Sequence, residues 1–176
     1  MIMSDWKNEA LRKIGRNLVN LSKIEGMLKL FLSRVNFQCP INELQSTLEA
    51  KKKRYEKMTL GQVIKDYLRT YNSDLEQIHQ YPDDRKEAWV SFSFTTETEA
   101  LAIHKRDYDF LIRHRNKLVH ELLIRFNPES EKNCKALIEK LDEQHQHIQR
   151  HSKYQQQQLY VLDEAIRRYF MNQSNQ

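Results

Sequence analysis

The sequence has few of the residues that interrupt helices. Its 176 residues include only three glycines and three prolines, which disfavours sandwiches, barrels and other folds rich in turns. Leucine, lysine, glutamate, glutamine and arginine, which favour helices, are plentiful by contrast. The composition therefore predicts an all-α fold. A chain of this length also suits one domain over 1–176 with a sizeable core.

Two further scarcities bear on the compartment. The two cysteines, Cys39 and Cys134, lack the spacing of a disulfide framework, so we expect free thiols in a reducing cytoplasm. No apolar run approaches the roughly 18 residues of a membrane span. The first ten residues also lack the basic start and apolar stretch of a signal peptide. We therefore expect a cytoplasmic protein with no membrane partner.

An excess of positive charge is what the sequence does contain. The net charge is +5 and the pI is near 9.1, which permits a polyanionic partner such as RNA without identifying one. The densest basic run, Lys51–Arg54, lies in a helical pattern. We interpret that run as a solvated helix face in preference to an RNA contact.

Apolar residues recur at spacings of three and four along two long stretches, as in amphipathic helices. The pattern predicts a first helix capped by Ser4 that runs to about Val35. It also predicts a last helix, capped by Ser130, that runs to about Phe170. Residues 171–176 are expected to form a frayed tail.

The region between these helices has a more varied pattern. Pro40 is predicted to start a charged helical segment, and Thr59 to cap the next helix. A turn is predicted at 81–84, and a further helix over about 96–126. Apolar and polar residues alternate near 89–95, which is the strand pattern. At most one short extended segment is expected there, either paired with its copy in a second chain or lying on the bundle as a connector.

An arginine occupies a position where its helix calls for an apolar residue. With Arg115 at zero and about 100° per residue, Leu111 and Leu118 fall within about 60° of it. Asn116 and His120 follow at about 100° and 140°, at the edge of the apolar face. Arg115 is thus on the centre line of that face.

A glutamate interrupts the apolar stripe of the first helix in the same way. Glu25 lies between Leu21 and Leu28 and falls about 20° from Leu18 around the helix axis. A charge in an apolar stripe costs free energy unless it is paired. One interpretation is therefore a structural ion pair between Glu25 and Arg115.

A second interpretation adds His120 and Asn116 and is catalytic. Imidazole takes or gives a proton near pH 7, and a guanidinium holds phosphate and offsets the charge of the transition state. An amide can orient one of them. With the 2′-hydroxyl of RNA as nucleophile, this chemistry needs no metal and no other cofactor. Arg113 and Lys117 fall on the same flank as His120, where a phosphate contact and an ordinary solvated surface have equal weight.

The stretch RNKLVH, Arg115–His120, resembles the signature of the HEPN superfamily. That signature is an arginine followed after four to six residues by a histidine, often with a polar residue next to the arginine. The acidic residue in KIEGMLKLFL, residues 23–32, is similar to the family as well. The resemblance implies an antiparallel helical bundle with long first and last helices. It also implies a homodimer that brings two motifs together across one cleft.

The resemblance further implies a metal-independent endoribonuclease of a toxin–antitoxin, phage-defence or RNA-processing system. Arg115 and His120 would then be catalytic, Asn116 and Glu25 would support them, and an antitoxin or defence protein would be a partner. One branch of the family has a tyrosine two residues after the histidine, modified by a nucleotidyltransferase antitoxin. Leu122 stands at that position here, so this mode of control is not expected.

Other functions stay open on the sequence alone. One is a non-catalytic helical interaction module, with Glu25 and Arg115 as a buried specificity pair. Another is an antitoxin-like partner that binds RNA without cutting it. His147 and His151 are four residues apart, with Glu143 four before the first, a spacing that suits a metal. For these three residues a polar helix surface is the favoured interpretation.

Overall fold

The computed structural model describes residues 3–70, 87–94, 98–122, 124 and 126–173 of the chain. The chain is mostly helical, as predicted, and a small two-stranded sheet is added to the helices. In chain order the elements are α1 (Met3–Arg34), β1 (Phe37–Pro40), a 3₁₀ turn (Ile41–Glu43), α2 (Leu44–Glu56), α3 (Leu60–Thr70), β2 (Trp89–Phe92), α4 (Thr98–Asn116), a π-helix (Lys117–Leu122) and α5 (Glu131–Gln173). The turn predicted at 81–84 lies outside the described residues.

The ends of the helices lie close to their predicted positions. The first helix, α1, begins one residue before the predicted cap Ser4. Thr59 precedes α3 as predicted, and its backbone N–H donates to Oε1 of Gln62 at 2.8 Å, which is one half of a capping box. The last helix, α5, continues to Gln173, so the predicted frayed tail is helical as far as that residue.

The prediction of at most one extended segment near 89–95 is wrong. The strand β2 does form there, but it pairs antiparallel with a second strand of the same chain, β1. Phe37 lies opposite Phe92, and their rings are stacked with centroids 6.4 Å apart. β2 is therefore paired within its own chain. Pairing with β1 satisfies the backbone groups that a lone strand leaves open.

Pro40 ends β1, whereas the sequence pattern predicted that it starts a helix. The backbone N–H of Ile41 donates to the carbonyl of Ala88 at 2.9 Å, continuing the ladder. Because bonded and non-bonded pairs alternate along an antiparallel ladder, Pro40 and its partner Trp89 form a non-bonded pair. The missing N–H of proline therefore costs the ladder no hydrogen bond.

The chain falls into two compact units. The first comprises Met1–Ile24 and Asp109–Gln176, and the second comprises Glu25–Tyr108. The single domain predicted over 1–176 stays a prediction. No described helix has both the length and the apolar content that crossing a bilayer requires.

Polar contacts join α1 to α5 in the first unit. Asn17 is fully buried, and its amide nitrogen donates to the carbonyl of Leu141 at 2.8 Å and to Oε1 of Gln144 at 2.9 Å. Asp142 accepts hydrogen bonds from Lys13 and Arg16, and the Lys13 ammonium is the main reason that the pKa of this carboxyl is lowered. These contacts fix the register of α5 against α1 within this unit.

Aromatic rings form the core of the second unit. Phe31, Tyr67 and Tyr108 are fully buried. Edge-to-face contacts join Phe31 to Tyr67, with centroids 5.6 Å apart, and Tyr67 to Tyr108, at 5.3 Å. Phe94, just past β2, packs edge-on against Phe31 at 4.9 Å. The sheet is thereby anchored to the helices of its own unit.

Candidate functional site

The helical geometry changes within the predicted motif. The α-helix α4 ends at Asn116, and the π-helix that follows contains His120. A π-helix forms hydrogen bonds between residues five apart and occurs frequently at functional sites. In an α-helix, Arg115 and His120 would lie about 140° apart around the axis. Because a wider turn advances by less than about 100° per residue, the angle between the two is smaller here than in a regular α-helix.

Arg115 is half-buried at the end of α4. Its neighbours on the helix face are buried, as predicted: Leu111 is fully buried and Leu118 is 2% exposed. Nη1 of Arg115 donates to Oδ1 of Asn116 at 3.4 Å. The guanidinium therefore has a polar partner near solvent, and its charge is not sealed in the core.

The other predicted site residues on this helix are open to solvent. His120 and Asn116 are exposed, and so are the predicted RNA contacts Arg113 and Lys117. An imidazole and a guanidinium within one accessible stretch can reach a phosphodiester of a large, flexible ligand. The arrangement therefore suits chemistry on a polymer that lies along the surface.

Glu25, the predicted support for Arg115, belongs to the second unit. It is half-buried, and Nζ of Lys29 lies 2.7 Å from its Oε1 one helical turn along α1. This local ion pair explains how a carboxylate is tolerated in the apolar stripe of α1. A role for Glu25 in ordering Arg115 stays a prediction.

A groove that was not predicted from the sequence runs beside the π-helix, entirely within the first unit. Its first part is a cavity of about 240 Å³ with a leucine floor. Three rings line it: Phe110 has its centroid 3.8 Å from that of His114 and 4.7 Å from that of His147. We call this part the aromatic cavity; its polar lining residues are Lys117, Lys140, Glu143 and Gln144.

The second part of the groove is a cavity of about 380 Å³. We call it the amide cavity, because Asn127 and Asn133 line it, together with Phe126 and Glu121. The two cavities have four lining residues in common, which mark the junction between them: Lys117, Leu122, Leu137 and Lys140. Two cations therefore lie where the aromatic cavity meets the amide cavity.

The electrostatics of the aromatic cavity favour a neutral imidazole. Burial lowers the pKa of His114, and the positive charge of Lys117 lowers it further, followed by His147 and Arg113. The lowered pKa of His114 therefore favours the neutral imidazole at neutral pH. The nearby lysines supply the positive charge of this region.

Part of this groove could have been found in the sequence. Leu137, Lys140, Gln144 and His147 follow one another at spacings of three, four and three, which places them on one face of α5. The sequence pattern was interpreted as a polar helix surface, in preference to a metal site at His147 and His151. In the structure the ring of His147 packs on Phe110. Among the described residues, no group of three or more side chains is arranged to hold a metal ion.

Neither the protein-family models, nor the curated proteins, nor the solved structures contain a match to this chain.

Proposed function

We propose that this chain is a metal-independent endoribonuclease of HEPN type. One observation carries the proposal: the half-buried guanidinium of Arg115 is held by Asn116 at the point where a π-helix presents an exposed His120. Wide helical turns of this kind are rare and concentrate at functional sites. In phosphodiester cleavage by a 2′-hydroxyl, an imidazole can move protons and a guanidinium can offset charge, while an amide can orient one of them.

The proposed reaction transfers two protons, one from the 2′-hydroxyl and one to the leaving 5′-oxygen. His120 takes the proton of the 2′-hydroxyl, whose oxygen forms a bond to phosphorus while the bond from phosphorus to the 5′-oxygen breaks. The leaving 5′-oxygen receives a proton from a second imidazole, which the same motif of a second copy supplies. Arg115 stabilises the negative charge of the pentavalent transition state. The products are a 2′,3′-cyclic phosphate and a 5′-hydroxyl.

The surroundings of the motif support an RNA substrate. Arg113 and Lys117 are exposed on the same stretch of helix, and the net charge of the chain is +5. Positive groups beside the motif attract phosphates without selecting a sequence. We further propose a cytoplasmic homodimer of a toxin–antitoxin or phage-defence system, with an antitoxin or defence protein as partner.

Cleavage of RNA in the presence of EDTA tests the proposal directly. Purified protein is incubated with total RNA and, separately, with a labelled oligonucleotide, and the ends of the products are analysed. We expect His120→Ala to lower the rate by about 10²- to 10⁴-fold, as loss of an acid–base group does. We expect Arg115→Ala to lower it by about 10²- to 10³-fold, as loss of a charge-stabilising donor does. Arg115→Lys should recover only part of the rate, since a lysine cannot form the paired contact.

His151→Ala, which changes an imidazole on α5, is the matched control and should cleave like the wild type. Growth arrest on expression, relieved by His120→Ala, is the expected result in cells. Equal cleavage by the wild type and His120→Ala would contradict the proposal. So would a folded wild type that neither cleaves RNA nor arrests growth, and the chain would then be a non-catalytic interaction module.

A further inference from the structure

We propose that the groove formed by the aromatic cavity and the amide cavity binds two consecutive nucleotides of single-stranded RNA. One base occupies each cavity, and Lys117 and Lys140 hold the phosphate between them. The inference names the ligand of a surface next to the Arg115–His120 motif, and it rests on the proposed function for the choice of RNA.

The order of charges along the groove matches a base, a phosphate and a base. The two lysines line both cavities and so lie at the junction between them. Glu143 lines the aromatic cavity alone, and Glu121 lines the amide cavity alone. The groove therefore accepts an anion at its middle and a neutral body on either side. A run of acidic peptide would place carboxylates beside these glutamates and be repelled.

The aromatic cavity has the lining of a base pocket. Phe110, His114 and His147 bring three rings together in this lining, and aromatic faces bind every base by stacking. Its volume of about 240 Å³ is below the roughly 300 Å³ at which pockets for drug-sized ligands begin. A single base fits such a space. Gln144 and Glu143 supply a donor and acceptors for its polar edge.

The amide cavity adds a second base position with different chemistry. Asn127 and Asn133 supply amide groups, which pair with base edges, and Phe126 supplies a ring. A base enters either cavity only when it is free of a complementary strand. The groove therefore selects single-stranded RNA over a duplex.

Binding is measured in the His120→Ala protein, so that cleavage does not interfere with the readout. The probe is a fluorescein-labelled 12-nucleotide RNA, single-stranded or annealed to its complement, followed by anisotropy at pH 8 over a range of salt concentrations. We expect Lys140→Ala to reduce the slope of log affinity against log salt by about 0.7, the value for one phosphate contact with a single strand. We expect His147→Ala to weaken binding about tenfold, within the range found when a stacking residue is truncated, without changing that slope.

Two exposed residues of the same helix provide matched controls. Lys153→Ala removes a lysine from another face of α5, and Gln146→Ala removes the neighbour of His147; both should bind like the His120→Ala parent. Circular dichroism and the thermal midpoint establish that each variant is folded. Four results would overturn the inference: duplex RNA binding as tightly as the single strand, Lys140→Ala matching Lys153→Ala, His147→Ala matching Gln146→Ala, or poly-glutamate binding with the same dependence on Lys140 and His147.

The two proposals fail in different ways. Groove-dependent binding by a protein that never cuts RNA would leave the groove as an RNA site and remove the endoribonuclease. Cleavage that depends on Arg115 and His120, together with RNA binding that is indifferent to the groove variants, would keep the endoribonuclease and remove the groove.

Discussion

Arg115 shows how one side chain reconciles an apolar helix face with a charge. Its neighbours Leu111 and Leu118 are buried, and Arg115 itself is half-buried. Its guanidinium reaches Asn116 in the adjacent position. A long side chain of this type packs its stem and keeps its head near water, which costs far less than burying a bare charge. The position of Arg115 on the apolar face was therefore predictable, but its half-exposed head group was not.

The titration of His114 gives a testable prediction at the scale of a single residue. Burial is the main reason that the pKa of His114 lies below its ordinary value, and the positive charge of Lys117 adds to the effect. Replacement of that charge in Lys117→Gln removes a group that disfavours the imidazolium, so the pKa of His114 should rise toward its ordinary value. Proton–carbon correlation NMR of the histidine rings over pH 4.5 to about 8.5 spans the ordinary value near 6.5 and measures this.

Lys153→Gln, which removes a distant lysine of α5, should leave the titration of His114 where it is. If His114 titrates above an ordinary histidine in the wild type, or if both lysine variants shift it equally, the packing described for the aromatic cavity is incorrect.

At the scale of elements, the two strands differ in how well the sequence predicts them. The stretch that contains β2 alternates Val90, Phe92 and Phe94 with Ser91, Ser93 and Thr95, and a strand was predicted from that pattern. β1 has only the four residues FQCP, too short for a period, and its proline suggested a helix start instead. The pairing register explains why that proline is tolerated. The register depends on a partner strand about 50 residues away in the chain, and local sequence patterns do not encode such a contact.

The register of the sheet can be tested with a designed disulfide. Gln38 lies opposite Ser91, and the alternation of the ladder makes this a non-bonded pair, in which side chains approach closely. In a Cys39→Ala background, Gln38→Cys combined with Ser91→Cys should form a cross-strand disulfide on mild oxidation. Mass spectrometry of the non-reduced protein detects the bond.

Gln38→Cys combined with Val90→Cys shifts the pair by one residue. The two side chains then point to opposite faces of the sheet, and this variant should stay reduced under the same conditions. Preferential oxidation of the shifted pair would show that the register is wrong.

The π-helix is the element that sequence periodicity could not foresee. Angles around the helix were taken at about 100° per residue through the whole motif, which placed His120 far from Arg115. The wider turn over Lys117–Leu122 changes this relation, although Leu118 within it stays buried. An apolar pattern of threes and fours predicts that a helix exists and which face it buries, but it does not record a single wide turn.

At the scale of the whole molecule, the composition predicted the fold class but not the division of the chain into compact units. The scarcity of glycine and proline predicted a mostly helical chain, which is confirmed. The two compact units left no trace in composition, because neither is set off by a linker or a change of charge. The groove beside the π-helix was predictable only for its face on α5, since the rest needs residues from α4 and the π-helix.

The proposed homodimer gives a prediction at this scale. We expect purified protein to sediment at twice the 21.3 kDa of one chain, because two motifs are needed to supply two imidazoles to one phosphate. Cleavage per chain should then fall as the protein is diluted through the dissociation constant of the dimer. Sedimentation velocity and single-turnover rates over the same concentrations measure both quantities.

His120→Ala serves as the control for sedimentation, since an exposed imidazole should be replaceable without loss of association. Full cleavage by a species that sediments as a monomer would remove the shared cleft from the mechanism.

The wide turn after Asn116 also bears on how such a molecule arises. A turn closed by bonds between residues five apart accommodates one residue more than an ordinary turn. Insertion of one residue into a regular helix can therefore be absorbed by one wide turn. The side chains of that turn change direction, while the helix beyond it keeps the same face toward the core. The directions of the side chains over Lys117–Leu122 are thus set by a count of residues, and the fold on either side stays the same.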